Sequence, residues 1–303
     1  MVFSSEYLRN FMSKLEFPDD AQKVFFDVNL FFEQNPVYGE IMIEKINEYN
    51  LTPTKEVLEP ILDDLNKFAE EIDVSSYTIH LLFFIYCSRK LQERYIENSI
   101  SLDIFWDSML DMRCKLYECY DVKGIWGTFV GGWYMEFFSL ERFGLGRLQY
   151  ERIPFRFEKY SKKGFDVYRD DIVYNIHIPS AGPLTKDKRM DSYKKAYEFF
   201  KNELDGRPLV IVCWTWLLYP DNEKFFPKGS NIIDFMHDFE IIDVKTHERL
   251  TPLWRIFGKY YKKSLDELPN DTSLQRAYIE WFKSGNQTGD AYGILLFDGE
   301  RIL

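Results

Sequence analysis

His177 and Cys213 are two residues of this chain whose side chains could act as a base or a nucleophile. His177 lies in "DDIVYNIHIP" (170 to 179), and an unperturbed imidazole titrates near neutrality, where it can act as a general base. Cys213 lies in "VIVCWTW", where a thiolate could act as a nucleophile, although such apolar neighbours fit an inert core cysteine better. His237 reads as a surface helix residue, and the sequence identifies no partner for His80 or His247. Cys87, Cys114, Cys119 and Cys213 lack CxxC spacing, so we expect reduced thiols and no metal site.

A third feature is the stretch "NIHIPSAGPLT" (175 to 185), a strand that stops at Pro179, turns through Ser180, Ala181 and Gly182, and restarts as a helix with Thr185 as cap. Such a turn either lets backbone amides approach a phosphate or merely reverses the chain. Lys186, Lys188 and Arg189 fall in the first helical turn, where bases oppose the helix dipole but would favour an anion. The competing reading is a solvated face partly neutralised by Asp187 and Asp191.

These residues need elements to hold them. From Ser4 to about Gly124 the hydrophobic period is helical. Asp19 or Asp20 is the expected cap of one helix, Thr52 with Pro53 starts another, and Pro60 is expected to kink or split it. The strand signals come later, at 146–155, 170–179, 207–218, 239–247 and 290–299. On the 170–179 strand, Ile172, Tyr174, Ile176 and Ile178 take one face and Val173, Asn175 and His177 the other. The next helix puts Met190, Tyr193, Tyr197, Phe200 and Leu204 on one stripe, and a later one runs from an Asp271 or Thr272 cap to Gly285. The expected fold class is α+β: an all-helical N-terminal domain (1–125), then a mixed α/β domain (126–303).

Composition narrows the partners. With 303 residues and 46% hydrophobic content the chain can fill two cores, and a net charge of −11 argues against a nucleic-acid or anionic-membrane surface. "YTIHLLFFIYC" (77 to 87) is shorter than the roughly 20 residues of a membrane helix, so it reads as a buried helix. The N-terminal residues show no secretory pattern, and the expected location is cytoplasmic.

The blocks "LERFGLGRLQYE" (140 to 151), "IHIPSAGPLT", "CWTWLLYP" (213 to 220) and "GSNIIDFMHDFEI" (229 to 241), in this order and spacing, resemble a bacterial family of acyltransferases. Its members join a helical N-acyltransferase N-terminal domain to a GNAT-like C-terminal domain. The resemblance implies that an acyl-coenzyme A, acetyl or longer, lies between two splayed central strands, 170–179 and 207–218. It also implies that the pyrophosphate sits at the start of the following helix. The residues then expected to hold it are Ile178, Ser180, Ala181, Gly182, Leu184, Thr185, Lys186 and Arg189, with His177 as the catalytic base, a small-molecule amine or hydroxyl as acceptor, and no metal. Trp214 and Trp216 become core or groove wall. Glu141, Arg142 and Arg147 either shape the acceptor side or form structural ion pairs. The loop departs from the QxxGxG-like pattern of the wider superfamily, and "SNIIDFMHDF" lacks the tyrosine often used as general acid. A non-catalytic module binding coenzyme A or another ligand is the alternative.

Overall fold

The computed structural model describes residues 4–247 and 253–303. Its chain divides into two compact units, Met1–Gly144 and Leu145–Leu303.

The first unit is helical: α1 (Ser5–Lys14), α2 (Asp19–Gln34), α3 (Pro36–Leu51), α4 (Lys55–Glu71), α5 (Ser76–Glu97) and α6 (Leu102–Lys123), then a 3-10 turn (Gly131–Tyr134) and α7 (Met135–Phe138). Helix α5 is buried without interruption from Thr78 to Ser88, as its apolar run requires. Two expected caps move. Pro18, not an aspartate, precedes α2, and Asp19 and Asp20 instead place their charges in its first turn, where the dipole favours them. Thr52 ends α3, while α4 starts from Thr54. Pro60 stays inside an unbroken α4. It lies on the exposed side, so the Glu56 carbonyl that loses a donor there can turn to water.

The division falls later than the expected 125/126, because residues after Gly124 return to the helices. Thr128 donates its amide to the Tyr77 carbonyl (2.9 Å), the Thr78 hydroxyl donates to the Trp126 carbonyl (2.8 Å), and the Trp133 indole donates to Asp111 (2.8 Å). Gly127 makes this approach possible, since any Cβ there would overlap the Tyr77 carbonyl.

The sheet strands are β1 (Arg142–Leu145, across the division) and β2 (Leu148–Pro154). Then come the small hairpin β3 (Lys159–Lys162) and β4 (Phe165–Tyr168), followed by β5 (Ile172–His177), β6 (Leu209–Thr215), β7 (Glu240–His247) and β8 (Thr288–Phe297). The main sheet runs β1-β2-β5-β6-β8-β7, with β5 and β6 parallel and the β2–β5, β6–β8 and β7–β8 pairs antiparallel. Helix α8 (Lys186–Leu204) covers one face, its Phe200 ring 4.2 Å from that of Tyr174. The β3–β4 hairpin, unforeseen in the sequence, covers the other. Its two-residue turn uses Lys163 and Gly164, both at positive φ, and Tyr160 and Val167 close a core with Val173, Val212, Ile294 and Leu296. Beyond β6 come a 3-10 turn (Trp216–Leu218), where a longer strand was expected, and the short helices α9 (Asn222–Phe225), α10 (Asn231–Met236) and α11 (Trp254–Phe257). The last helix, α12 (Ser273–Lys283), starts on a capping box between Thr272 and Gln275.

Candidate active site

Parallel strands normally stay paired along their shared length, yet β5 and β6 share only two register pairs, Tyr174↔Ile211 and Asn175↔Val212. Strand β6 nevertheless stays paired with β8 to Thr215, and β5 with β2 to His177. A wedge therefore opens between Ile176–Ile178 and Cys213–Thr215, where the two strands stop supplying ladder partners to each other. Cys213 fills its apex. Its thiol donates to the Ile176 carbonyl at 3.6 Å, and full burial raises its pKa, so it is a packed thiol and not a nucleophile.

His177 lies at the splayed end of β5. Register puts it on the same sheet face as Gln149 and Glu151 of β2, Asn175 of β5, Trp214 of β6 and Tyr292 of β8. Its Nε2 is 2.6 Å from Glu151 Oε2 and 3.2 Å from Asn175 Nδ2, and the His177 and Glu151 side chains are 21% and 18% exposed. In a neutral imidazole, Nε2–H donation to that carboxylate puts the lone pair on Nδ1, the atom that would accept a proton. Trp214, 37% exposed, extends this face beyond the wedge. The Arg156 guanidinium stands 4.5 Å from its ring centre and 4.3 Å from that of Tyr292. Sequence reasoning missed Glu151, because alternation along β2 gives its face but not the partner strand that brings it to His177.

The loop after β5 lies between two arginines. Arg147, from the β1–β2 turn, donates Nη1 to the Pro179 carbonyl (2.9 Å), Nη2 to Gly182 (2.8 Å) and Nε to Pro183 (3.3 Å). Arg189, wholly buried, donates Nη1 to the Leu184 carbonyl (2.8 Å), and its other nitrogens reach Asp234 (2.8 Å) and Asp238 (2.7 Å). Tyr193 also donates to Asp238 (3.0 Å). This corrects the expectation that Arg189 meets an anion, because two carboxylates already neutralise its charge inside the fold. Arg142 is likewise structural: it is buried over the Trp133 ring and paired with Glu136.

Among the remaining predicted residues, Gly182 has φ +89, a conformation that favours glycine, and Leu184 is buried as the anchor of the loop. Ser180 and Gly182 are exposed and Ile178, Ala181 and Thr185 half-buried, in sequence between the wedge and α8. Thr185 takes the cap position, but its side chain accepts no bond from the first-turn amides. Hydrogen bonds from the Thr185 side chain and the Lys188 amide hold the Asp187 carboxyl below its usual range. Lys186 and Lys188 are exposed beside it. The other histidines are occupied elsewhere: His237 pairs with Glu223 on the surface, His247 pairs with Asp290 (2.8 Å), and His80 is buried in the helical unit. No cluster of three or more His, Cys, Asp or Glu side chains suited to a metal occurs among the described residues, and no helix among them is long and apolar enough to cross a membrane.

The architecture has solved counterparts. An acyltransferase in complex with decanoyl-CoA superposes with a TM-score of 0.70 at 17% identity, covering 94% of this chain and 86% of that one. An acyltransferase in complex with decanoyl-CoA and teicoplanin gives 0.67 at 19% identity, covering 95% and 87%. An acyltransferase mutant in complex with octanoyl-CoA gives 0.68 at 18%, covering 97% and 88%. No curated protein is significantly similar in sequence. Residues 6–140 match the N-acyltransferase N-terminal domain and residues 143–295 the GNAT-like C-terminal domain, so the chain belongs to the acyltransferase family that joins these two domains.

Proposed function

We propose that this protein transfers an acyl group from acyl-coenzyme A to an amine of a small-molecule acceptor, by direct attack. The observation that carries this reading is the wedge, since a narrow donor arm can lie between β5 and β6 only where they stop pairing. In this arrangement the pantetheine arm lies between Ile176–Ile178 and Cys213–Thr215. The pyrophosphate rests against Ser180, Ala181, Gly182, Leu184, Thr185 and Lys186, at the positive end of the α8 dipole, which favours an anion. The acceptor approaches from the sheet face carrying Glu151, His177 and Trp214.

The amine nitrogen attacks the thioester carbonyl carbon while His177 takes its proton. Backbone amides of β5 stabilise the developing oxyanion, the carbon–sulfur bond breaks, and coenzyme A leaves as the thiol with that proton. Glu151 orients the imidazole and stabilises the imidazolium formed in the first step. Buried Cys213 supports attack without an acyl-enzyme intermediate.

The donors to try first are decanoyl- and octanoyl-CoA, by analogy with the solved neighbours, alongside acetyl-CoA. The purified protein is mixed with each donor and a panel of primary amines, and free thiol is followed. Amine-dependent thiol release is the expected result. Calorimetric binding of coenzyme A with no thiol release from any pair would make the protein a binding module instead.

A further inference from the structure

The loop that the proposed function assigns to the pyrophosphate has a single glycine, and Pro183 supplies no amide. Something other than glycine freedom must therefore set the direction of its peptide planes. We infer that Arg147 is the positioning residue of this loop, orienting its amides toward the donor's phosphates without touching them; this rests on the coenzyme A reading above.

The argument is geometric. In a planar trans peptide the carbonyl and the following N–H point in opposite directions. The Pro179 and Pro183 carbonyls turn toward Arg147, and the Leu184 carbonyl turns toward Arg189. The amides of Ser180, Leu184 and Thr185 therefore point away from those guanidinium groups. The Gly182 carbonyl, held by Arg147 at 2.8 Å, precedes Pro183, so the one peptide with no N–H is itself fixed in place. Gly182 at φ +89 supplies the reversal that lets Pro179, Gly182 and Pro183 reach a single guanidinium. A planar fork can hold three carbonyls in different directions; a lysine ammonium on a flexible stem cannot hold the same arrangement.

Charge could also explain an arginine here, by direct contact with a phosphate, and the two roles separate experimentally. Arg147→Lys keeps the charge and loses the fork; Arg147→Met loses both. If Arg147 shapes the loop, both variants raise KM for the acyl-CoA donor by about tenfold or more, with kcat within about threefold of wild type. Backbone chemical shifts of residues 179–185 in the ligand-free protein also change in both, while those of the strands keep their wild-type values. A lysine variant with wild-type KM and loop shifts would overturn the inference in favour of a charge contact. Shifts changed equally throughout the sheet would overturn it in favour of a general structural role. Failure of the wild type to bind coenzyme A would defeat the functional reading alone, because the loop shifts still report whether Arg147 holds the loop.

Discussion

Replacing Arg189 with methionine tests the buried network beneath the loop. The guanidinium is 0% exposed and holds Asp238, itself 8% exposed, through bonds of 2.7 and 3.3 Å. Methionine fills much of the volume but leaves Asp238 with Tyr193 as its remaining partner from this network. Breaking a buried pair from one side costs about 3–5 kcal/mol. Asp234, with a side chain 48% exposed, can return to water, so it adds little. At roughly 2–4 °C per kcal/mol for a unit of this size, the melting temperature should fall by about 6–20 °C. Arg189→Met with Asp238→Leu should recover part of that loss, because no buried charge then lacks its partner. The pH dependence follows from Asp234, whose carboxyl Arg189 holds below the ordinary value of 3.8. Its stabilisation is complete above that value and declines as pH falls through the lower folded one, so acidification below about pH 4 should cost the wild type more than Arg189→Met. Differential scanning calorimetry at pH 7 and pH 3 measures both effects. A variant melting within 2 °C of wild type at pH 7, or a double mutant no better than the single, would refute the assignment of Arg189 to the fold.

In the transfer assay, His177→Ala should lower kcat by about 10²-fold or more with little change in donor affinity, and Glu151→Gln should give a smaller loss in kcat; full activity in His177→Ala would remove it as the base. Cys213→Ser should turn over at a rate close to wild type, whereas an acyl group found on Cys213 by mass spectrometry would overturn direct transfer. Gly127→Ala, which forces a methyl group into the Tyr77 backbone, should cost about 1–3 kcal/mol in urea denaturation. Gly132→Ala, with open space around it, serves as the neutral comparison.

What the sequence disclosed and what it withheld follow from how far each signal reaches along the chain. Alternation around His177 and the loop ending in Thr185 are local, and both place the residues where the fold has them. Glu151 required a register between strands 26 positions apart, which no local period encodes. Arg189 shows a different limit. A stripe at 190, 193, 197, 200 and 204 and one at 189, 193, 196, 200 and 204 fit the helical period equally well, so residue type alone chose Met190 and Tyr197 over Arg189 and Ala196. The fold makes the other choice, burying Arg189, Tyr193, Ala196, Phe200 and Leu204. An arginine can occupy that stripe only because α10 and the second residue past its end bring Asp234 and Asp238 to it from 45 and 49 positions along the chain. The same dependence on distant partners turns Arg147 toward the loop carbonyls, so in both cases the arginine's role is set by elements its own neighbours in sequence do not specify.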